Sequence, residues 1–330
     1  MTGPRPEVEL YLERVCPGAE VTPIGGDAST RSFWRVRLPD GRSRVLMDYG
    51  LPFENETDDV RLARIFREAG LPVAEVHEVA DEVGCLLLED LGEHSLEASV
   101  AWANGRLRPH ARPLVESAVI LAARIASNGT PVLARSDRKN GPTLDAERFR
   151  FEMDFFIEHF VVGLRGLSPP DGLRDALHAL ADQAADTPLR VMCHRDFHSR
   201  NLMVRPGEKL ALVDIQDARW GPDSYDLVSL LRDGYIDIED DWIDPLVDLY
   251  VSTLDEVPAQ GFRSRLDRVS AQRMIKALGT FGYQATVRNA PRYLDGVPRT
   301  LRRLRDLLPR TAETGALMRL LSEAGALDDS

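Results

Sequence analysis

The sequence predicts an α+β chain of two lobes, a small N-terminal lobe built on an antiparallel sheet followed by a larger, mainly helical C-terminal lobe. Its 330 residues exceed what one hydrophobic core usually organises. Up to Gly92, short runs of alternating apolar and polar residues are cut by glycine, proline and aspartate, as in strands joined by turns. Past Gly92 the apolar residues recur at three and four, as in helices. The polar connector 89–92 is the expected boundary, giving an N-terminal lobe over 1–89 and a C-terminal lobe over 90–330.

In chain order, 8–15 reads as an amphipathic helix stopped by Pro17-Gly18. Segments 21–24 and 33–38 read as strands around Gly25-Gly26-Asp27-Ala28-Ser29-Thr30-Arg31-Ser32. That layout suits an ordinary hairpin or a loop whose backbone N–H groups cover phosphates, so Gly26, Asp27, Ala28, Ser29 and Thr30 are candidate nucleotide contacts. A turn at Pro39-Asp40-Gly41 leads to a third strand, 44–48. Segment 56–69 has helical spacing at Val60, Leu62, Ile65 and Phe66, with Gly70 as its stop. Leu71-Pro72-Val73 and 76–79 continue the sheet, and 85–92 is a buried strand running into the connector. An adenine held between two lobes would meet backbone groups near Glu89 and Leu91.

The second lobe is expected to contain helices at 114–126, 149–164, 173–184, 227–232, 245–254, 262–283 and 298–308. The helix 149–164 is rich in aromatics that suit a core. Its interleaved Glu152, Asp154, Glu158 and His159 suit a core poorly and are candidate substrate contacts.

Composition narrows the function. A formal charge of −12, from 53 acidic and 41 basic side chains, argues against nonspecific binding to nucleic acid or to an acidic membrane surface. Only Lys139, Lys209 and Lys276 are lysines; every other basic side chain is arginine. Cys16, Cys85 and Cys193 are odd in number and widely spaced, as expected of reduced thiols rather than a disulfide framework or zinc site. Residues 1–7 lack an apolar core and no apolar run reads as long enough to span a bilayer, so a cytoplasmic protein is expected. No pattern in the sequence sets an oligomeric state.

The chemistry is concentrated at Cys193-His194-Arg195-Asp196-Phe197-His198-Ser199-Arg200-Asn201. His194, Asp196 and Asn201 satisfy the H-x-D-x-x-x-x-N pattern of phosphotransferase catalytic loops, in which the aspartate handles the acceptor hydroxyl and the asparagine holds magnesium. A strand at 202–204, a turn at Arg205-Pro206-Gly207-Glu208 and a returning strand at 210–213 follow, delivering Asp214-Ile215-Gln216-Asp217. A hairpin joins its own ends, so Asn201 and Asp214 are the expected magnesium ligands. Asp226, at a helix start, either caps that helix or braces the catalytic loop. Protein kinases carry a phosphate-binding lysine on the third strand. Here Met47 and Asp48 stand in that neighbourhood, and Met47 is a candidate nucleotide contact. Arg31, and after it Arg44, are the candidate replacement cations, with Glu56 or Asp59 as partner.

These motifs, completed by Gly221-Pro222-x-x-x-Asp226-Leu227, resemble the aminoglycoside phosphotransferase and choline kinase superfamily. The fuller strings around His194, Gln216-Asp217-Ala218 and 225–233 are similar, more narrowly, to the bacterial anomeric kinases for N-acetylmuramate and N-acetylglucosamine that act in cell-wall recycling. Gly26-Asp27-Ala28-Ser29, Val45-Leu46-Met47-Asp48, Leu88-Glu89-Asp90-Leu91-Gly92 and Pro291-Arg292-Tyr293-Leu294 extend the resemblance over nearly the whole chain. Ile215 and the segment 286–290 depart from the pattern. The resemblance implies a two-lobed protein-kinase-like fold, ATP and Mg2+, and Asp196 as the group that takes the proton of a sugar C1 hydroxyl. It makes the absent lysine a feature of the subfamily. His194 would orient the loop, and Glu158, His198, Arg200, Gln216 and Asp217 are candidate contacts to the amino sugar. Two other readings stay open on the sequence: another small alcohol such as an aminoglycoside or choline, and a nucleotide-binding pseudokinase that serves as an interaction module.

Overall fold

The computed structural model describes residues 3–25, 31–102, 104–254, 260–310 and 312–328. The chain forms two compact units, Met1–His94 with Met203–Gln216, and Ser95–Leu202 with Asp217–Ser330.

The first unit holds α1 (Pro6–Val15), α2 (Asp58–Glu68) and a five-stranded sheet. Its strands are β1 (Glu20–Ile24), β2 (Ser32–Arg37), β3 (Ser43–Asp48), β4 (Val76–Ala80) and β5 (Cys85–Glu89), in the order β1-β2-β3-β5-β4. Every neighbouring pair is antiparallel. Alternation along β2 puts Trp34 and Val36 on the face that also presents Leu46, Cys85 and Leu87, and α1 covers it with Val8, Tyr11 and Leu12. Arg5, just ahead of α1, forks onto the buried Asp48 at the end of β3, with Nη2 to Oδ1 at 2.7 Å and Nε to Oδ2 at 3.1 Å. Residues 203–216 add the hairpin of β7 (Leu202–Arg205) and β8 (Lys209–Leu212). Leu71-Pro72-Val73, expected to extend the main sheet, meets this hairpin instead: the Leu212 amide donates to the Pro72 carbonyl at 2.7 Å and Val73 bridges Leu212 in parallel.

The second unit is built from α3 (Leu96–Val100), α4 (Arg112–Arg124), α5 (Thr130–Arg135), α6 (Ala146–Phe156), α7 (Leu173–Ala185), α8 (Tyr225–Leu231), α9 (Asp240–Thr253), α10 (Phe262–Thr286), α11 (Val297–Leu307) and α12 (Ala312–Glu323). Two short strands, β6 (Arg190–Cys193) and β9 (Arg219–Pro222), pair antiparallel within it. The expected helix 149–164 is α6 followed by a π-helical run, Ile157–Leu164. A second π-helical turn, Ile125–Gly129, joins α4 to α5, so helix continues over Arg112–Arg135. That stretch is apolar and long enough to cross a bilayer by length and composition, against the expectation that no such run exists. Val115, Ala118, Val119, Ala122 and Ile125 are nevertheless buried in this unit.

Helix α10 is the spine of the unit, packing against α6, the π-helical run, α7, α8 and α11. Two glycines allow the close approach. A Cβ at Gly279 would stand 2.8 Å from Phe156 Cα, and one at Gly282 would stand 2.4 Å from the His159 carbonyl oxygen. The backbone of α10 can therefore lie against its neighbours, which sets the position of every side chain it carries. Gly282→Ala should force these helices apart and cost about 1–3 kcal/mol of stability, read as a lowered denaturant midpoint with little change in slope.

Candidate active site

The catalytic-type loop leaves β6 at Cys193 and is followed, after the hairpin, by β9. Pairing of Cys193 with Arg219 sets the start of the loop beside Asp217. Two buried carboxylates then hold the loop by its backbone. Asp226, in the first turn of α8, accepts from the His194 amide at 2.6 Å and from the Arg195 amide at 3.0 Å. Asp233, just beyond α8, accepts from the Ser199 amide and the Tyr235 amide, each at 2.7 Å. Between these clamps Arg195 takes a left-handed backbone, φ +79°, a conformation disfavoured for a residue with a Cβ and held here by its neighbours. Burial pushes the Asp226 carboxyl upward, against the opposing pull of His194 and its two amide donors.

Asp196 lies in a cluster of cations. Lys276 Nζ stands 3.8 Å and Arg273 Nη2 3.9 Å from its Oδ1, and Arg195 Nη1 stands 3.4 Å from its Oδ2. Burial alone would raise the carboxyl, yet Lys276, Arg195 and Arg273 together hold it well below the usual carboxylate range. Arg195 also reaches Asp217 Oδ2 at 2.8 Å, and Arg219 Nε donates to the Asp217 carbonyl at 2.7 Å. Arg273 is anchored from behind by a hydrogen bond to the Tyr225 hydroxyl at 3.0 Å. Such a site can accept a hydrogen bond from a hydroxyl at Asp196 while cations flank the oxygen.

The other expected residues divide. Asn201 Nδ2 donates to the Asp196 carbonyl at 2.9 Å, which ties the side chain to the loop. His194 is fully buried, with its ring edge toward Phe197. Burial pushes the His198 imidazole below its ordinary value, against the pull of Asp233 and Asp196, and its ring meets Tyr235 edge-on. Arg200 forks onto Glu97 at 2.7 and 3.2 Å and lies 3.7 Å over the Tyr235 ring, an arrangement that uses its guanidinium to tie α3 to the loop. Of the charges on the aromatic helix, Glu152 is buried and bound by Gln272 at 2.8 Å and Arg148 at 3.2 Å. Asp154 pairs with His178 and Arg174. Glu158 is 73% exposed beside His159. Asp233, Arg273 and Lys276 were not singled out from the sequence; only Asp233 lay inside a motif, the string 225–233.

In the first unit Arg31 Nη1 contacts both oxygens of Asp59, at 2.9 and 2.8 Å, and Tyr49 donates its hydroxyl to Asp59 at 2.6 Å. Asp59 rather than Glu56 is therefore the partner, since Glu56 pairs with Arg61 and Arg64. Arg31 Nη2 also lies 3.6 Å from Asp214 Oδ1. Asp214 has a left-handed backbone, φ +62°, and accepts from Gln216 Nε2 at 2.6 Å. Met47 is buried with its sulfur 3.5 Å from Arg31 Nη1, Leu91 is buried, and Glu89 pairs with Arg205 at 2.8 Å. Gly26, Asp27, Ala28, Ser29 and Thr30 lie outside the described residues. All three cysteines are free and buried, and burial pushes the Cys193 thiol far up, away from nucleophilic use.

No cluster of three or more His, Cys, Asp or Glu that could hold a metal occurs among the described residues. Asn201 and Asp214 each carry a hard oxygen of the type magnesium takes. A family model described as the phosphotransferase enzyme family matches residues 20–260, and the chain belongs to that family. Within it, the chain is similar over nearly its full length to proteins named N-acetylmuramate/N-acetylglucosamine kinase. It is 31% identical to the Pseudomonas aeruginosa protein, over 93% of this chain and 89% of that one. It is 29% identical to the Neisseria meningitidis protein, over 96% and 95%. Among solved structures the fold matches the gentamicin–APH(2'')-IIa complex, at TM-score 0.60 and 10% identity over 95% of this chain and 99% of that one. It also matches a choline/ethanolamine kinase family protein from Mesorhizobium loti, at 0.59 and 16% over 96% and 98%.

Asp226→Ala leaves two loop amides without their acceptor. It should destabilise the protein by about 1–3 kcal/mol for each amide left unpaired, measured by denaturant unfolding.

Proposed function

We propose that this protein is an ATP-dependent kinase that phosphorylates the anomeric C1 hydroxyl of N-acetylmuramate, N-acetylglucosamine or both, in the recycling of cell-wall sugars. The observation that carries the reading is Asp196, kept as a carboxylate amid three cations in the family's catalytic loop. The whole-length likeness to curated amino-sugar kinases directs the choice of acceptor. Use of ATP puts the protein in the cytoplasm.

In this reading Asp196 accepts a hydrogen bond from the C1 hydroxyl. A carboxylate held so far down is a weak base, so it takes the proton only once bond formation to phosphorus is well advanced, which suits a loose transition state. His194 and Asp226 keep the loop in place. Asn201 and Asp214 are the residues that would hold magnesium, which would neutralise charge on the phosphate oxygens. Arg31, set by Asp59, serves the phosphates in place of the third-strand lysine, so the missing lysine is no argument for a catalytically silent module. Gly26, Asp27, Ala28, Ser29 and Thr30 cover the phosphates, and Met47, Glu89 and Leu91 border the nucleotide. Asp217, Gln216 and His198 are the sugar contacts we favour. Glu158, exposed beside His159, is a weaker one, and Arg200 serves the sugar only indirectly through the loop it braces.

Phosphorus NMR of the reaction with either sugar should show an anomeric sugar phosphate. Asp196→Asn should lower kcat by about a thousandfold with the fold intact. A product carrying phosphate at C6, or turnover of choline or an aminoglycoside in preference to both sugars, would refute the assignment of acceptor. Arg31→Ala should raise the KM for ATP by roughly tenfold or more, about 1.4 kcal/mol, and Arg31→Lys should recover part of the loss in a coupled ADP assay.

A further inference from the structure

We propose that Lys276 is a catalytic residue, whose ammonium donates a hydrogen bond to the same acceptor hydroxyl oxygen that gives its proton to Asp196. The inference rests on the reading above in that Asp196 is taken as the partner of the acceptor hydroxyl.

Lys276 sits on α10, the glycine-packed spine, three positions after Arg273, and both side chains converge on Asp196 Oδ1. Its Nζ is 3.8 Å from that oxygen. The separation is too long for a hydrogen bond, yet one oxygen placed about 2.8 Å from each atom closes the triangle without any movement. A hydroxyl there gives its proton to Asp196, receives an N–H from Lys276 on one lone pair, and keeps the second lone pair for phosphorus. Its C–O bond and these two contacts fix the direction of attack.

The step balances as follows. A bond forms from that lone pair to the γ-phosphorus, and the bond from phosphorus to the β,γ-bridging oxygen breaks. Its electron pair departs with ADP, and the hydroxyl proton passes to the Asp196 carboxylate. The ammonium keeps its charge throughout and offsets the charge spread over the acceptor and phosphoryl oxygens.

Arg273 does not fill this role, because its guanidinium is held by the Tyr225 hydroxyl and lies over that ring. Residue choice supports the distinction. Lys139 and Lys209 are exposed, while Arg195 in the loop and Arg219 on β9 are both tied to Asp217. Lys276 alone places an ammonium here. A compact charge with three donors can follow an oxygen as it changes from hydroxyl to phosphoester; a planar fork cannot.

Lys276→Met and Lys276→Gln, each checked for folding by near-UV circular dichroism and melting, should lose about a hundredfold or more in kcat. The loss should be alike on N-acetylglucosamine and N-acetylmuramate, with KM for each sugar moving only about two- to threefold, and Lys276→Arg should not restore it. A loss confined to N-acetylmuramate would mean that the ammonium reads that sugar's carboxylate, and would overturn the proposal. So would folded variants whose kcat stays near that of the wild type. If the wild-type protein phosphorylates neither sugar, the acceptor assignment fails on its own. The same variants are then compared in the slow hydrolysis of ATP, where water takes the hydroxyl's place: an equal loss supports the role of Lys276, and an unchanged rate refutes it.

Discussion

Everything at this site depends on two buried carboxylates holding backbone, not substrate. Asp226, in the first turn of a helix of under two turns, and Asp233, just past its end, each accept two amides, so the loop between His194 and Ser199 is fixed at both ends by charge-assisted hydrogen bonds. Burying a carboxylate is costly, and paired N–H donors are what make it tolerable. The clamp in turn sustains the left-handed backbone at Arg195, which directs that guanidinium to Asp196 and Asp217. Geometry for phosphoryl transfer is thereby set before any ligand arrives, which is where catalysis of this type gains most.

Charge at the site is arranged in two ways. The arginines are mostly committed: Arg31 to Asp59, Arg200 to Glu97, Arg219 to Asp217, Arg273 to the Tyr225 hydroxyl. Each is a fork in a defined plane, suited to holding a neighbour still. Lys276, like Arg273, approaches Asp196 at ion-pair distance without closing a hydrogen bond, but it brings a compact ammonium in place of a planar group. The carboxylate of Asp196 is thus surrounded by guanidiniums with partners of their own and by one compact ammonium.

The legible part of this molecule was what local sequence encodes. The antiparallel sheet followed by helices was visible in the change of apolar period. His194, Asp196, Asn201, Asp214 and Asp226 were visible because their spacing reflects one loop, one hairpin and one helix start. The pairing of Arg31 with Asp59 was half visible, as one of two acids in the same helical turn. What escaped reading depends on distant packing. Lys276 and Arg273 reach Asp196 from a helix far downstream whose inward face no local pattern declares. The π-helical run after α6 has the same apolar spacing as an ordinary helix, and β6 and β9, as short as β7 and β8, lack the intervening turn that marks those two as a hairpin. Asp233 is visible only as the last residue of the 225–233 string, because nothing nearby reveals that its oxygens meet the Ser199 amide.

The membership of Met203–Gln216 in the first unit has a consequence for how the protein is made. The Pro72 carbonyl receives its partner amide from Leu212, so the N-terminal unit is unfinished when the ribosome has passed residue 94. More than a hundred further residues must be synthesised before that amide emerges. During that interval the helical unit is itself only half translated, since α8, α9 and α10 follow the hairpin. Neither unit can be completed during synthesis before the other has begun, and a gene fragment cut at the apparent sheet-to-helix boundary would encode a unit without its hairpin.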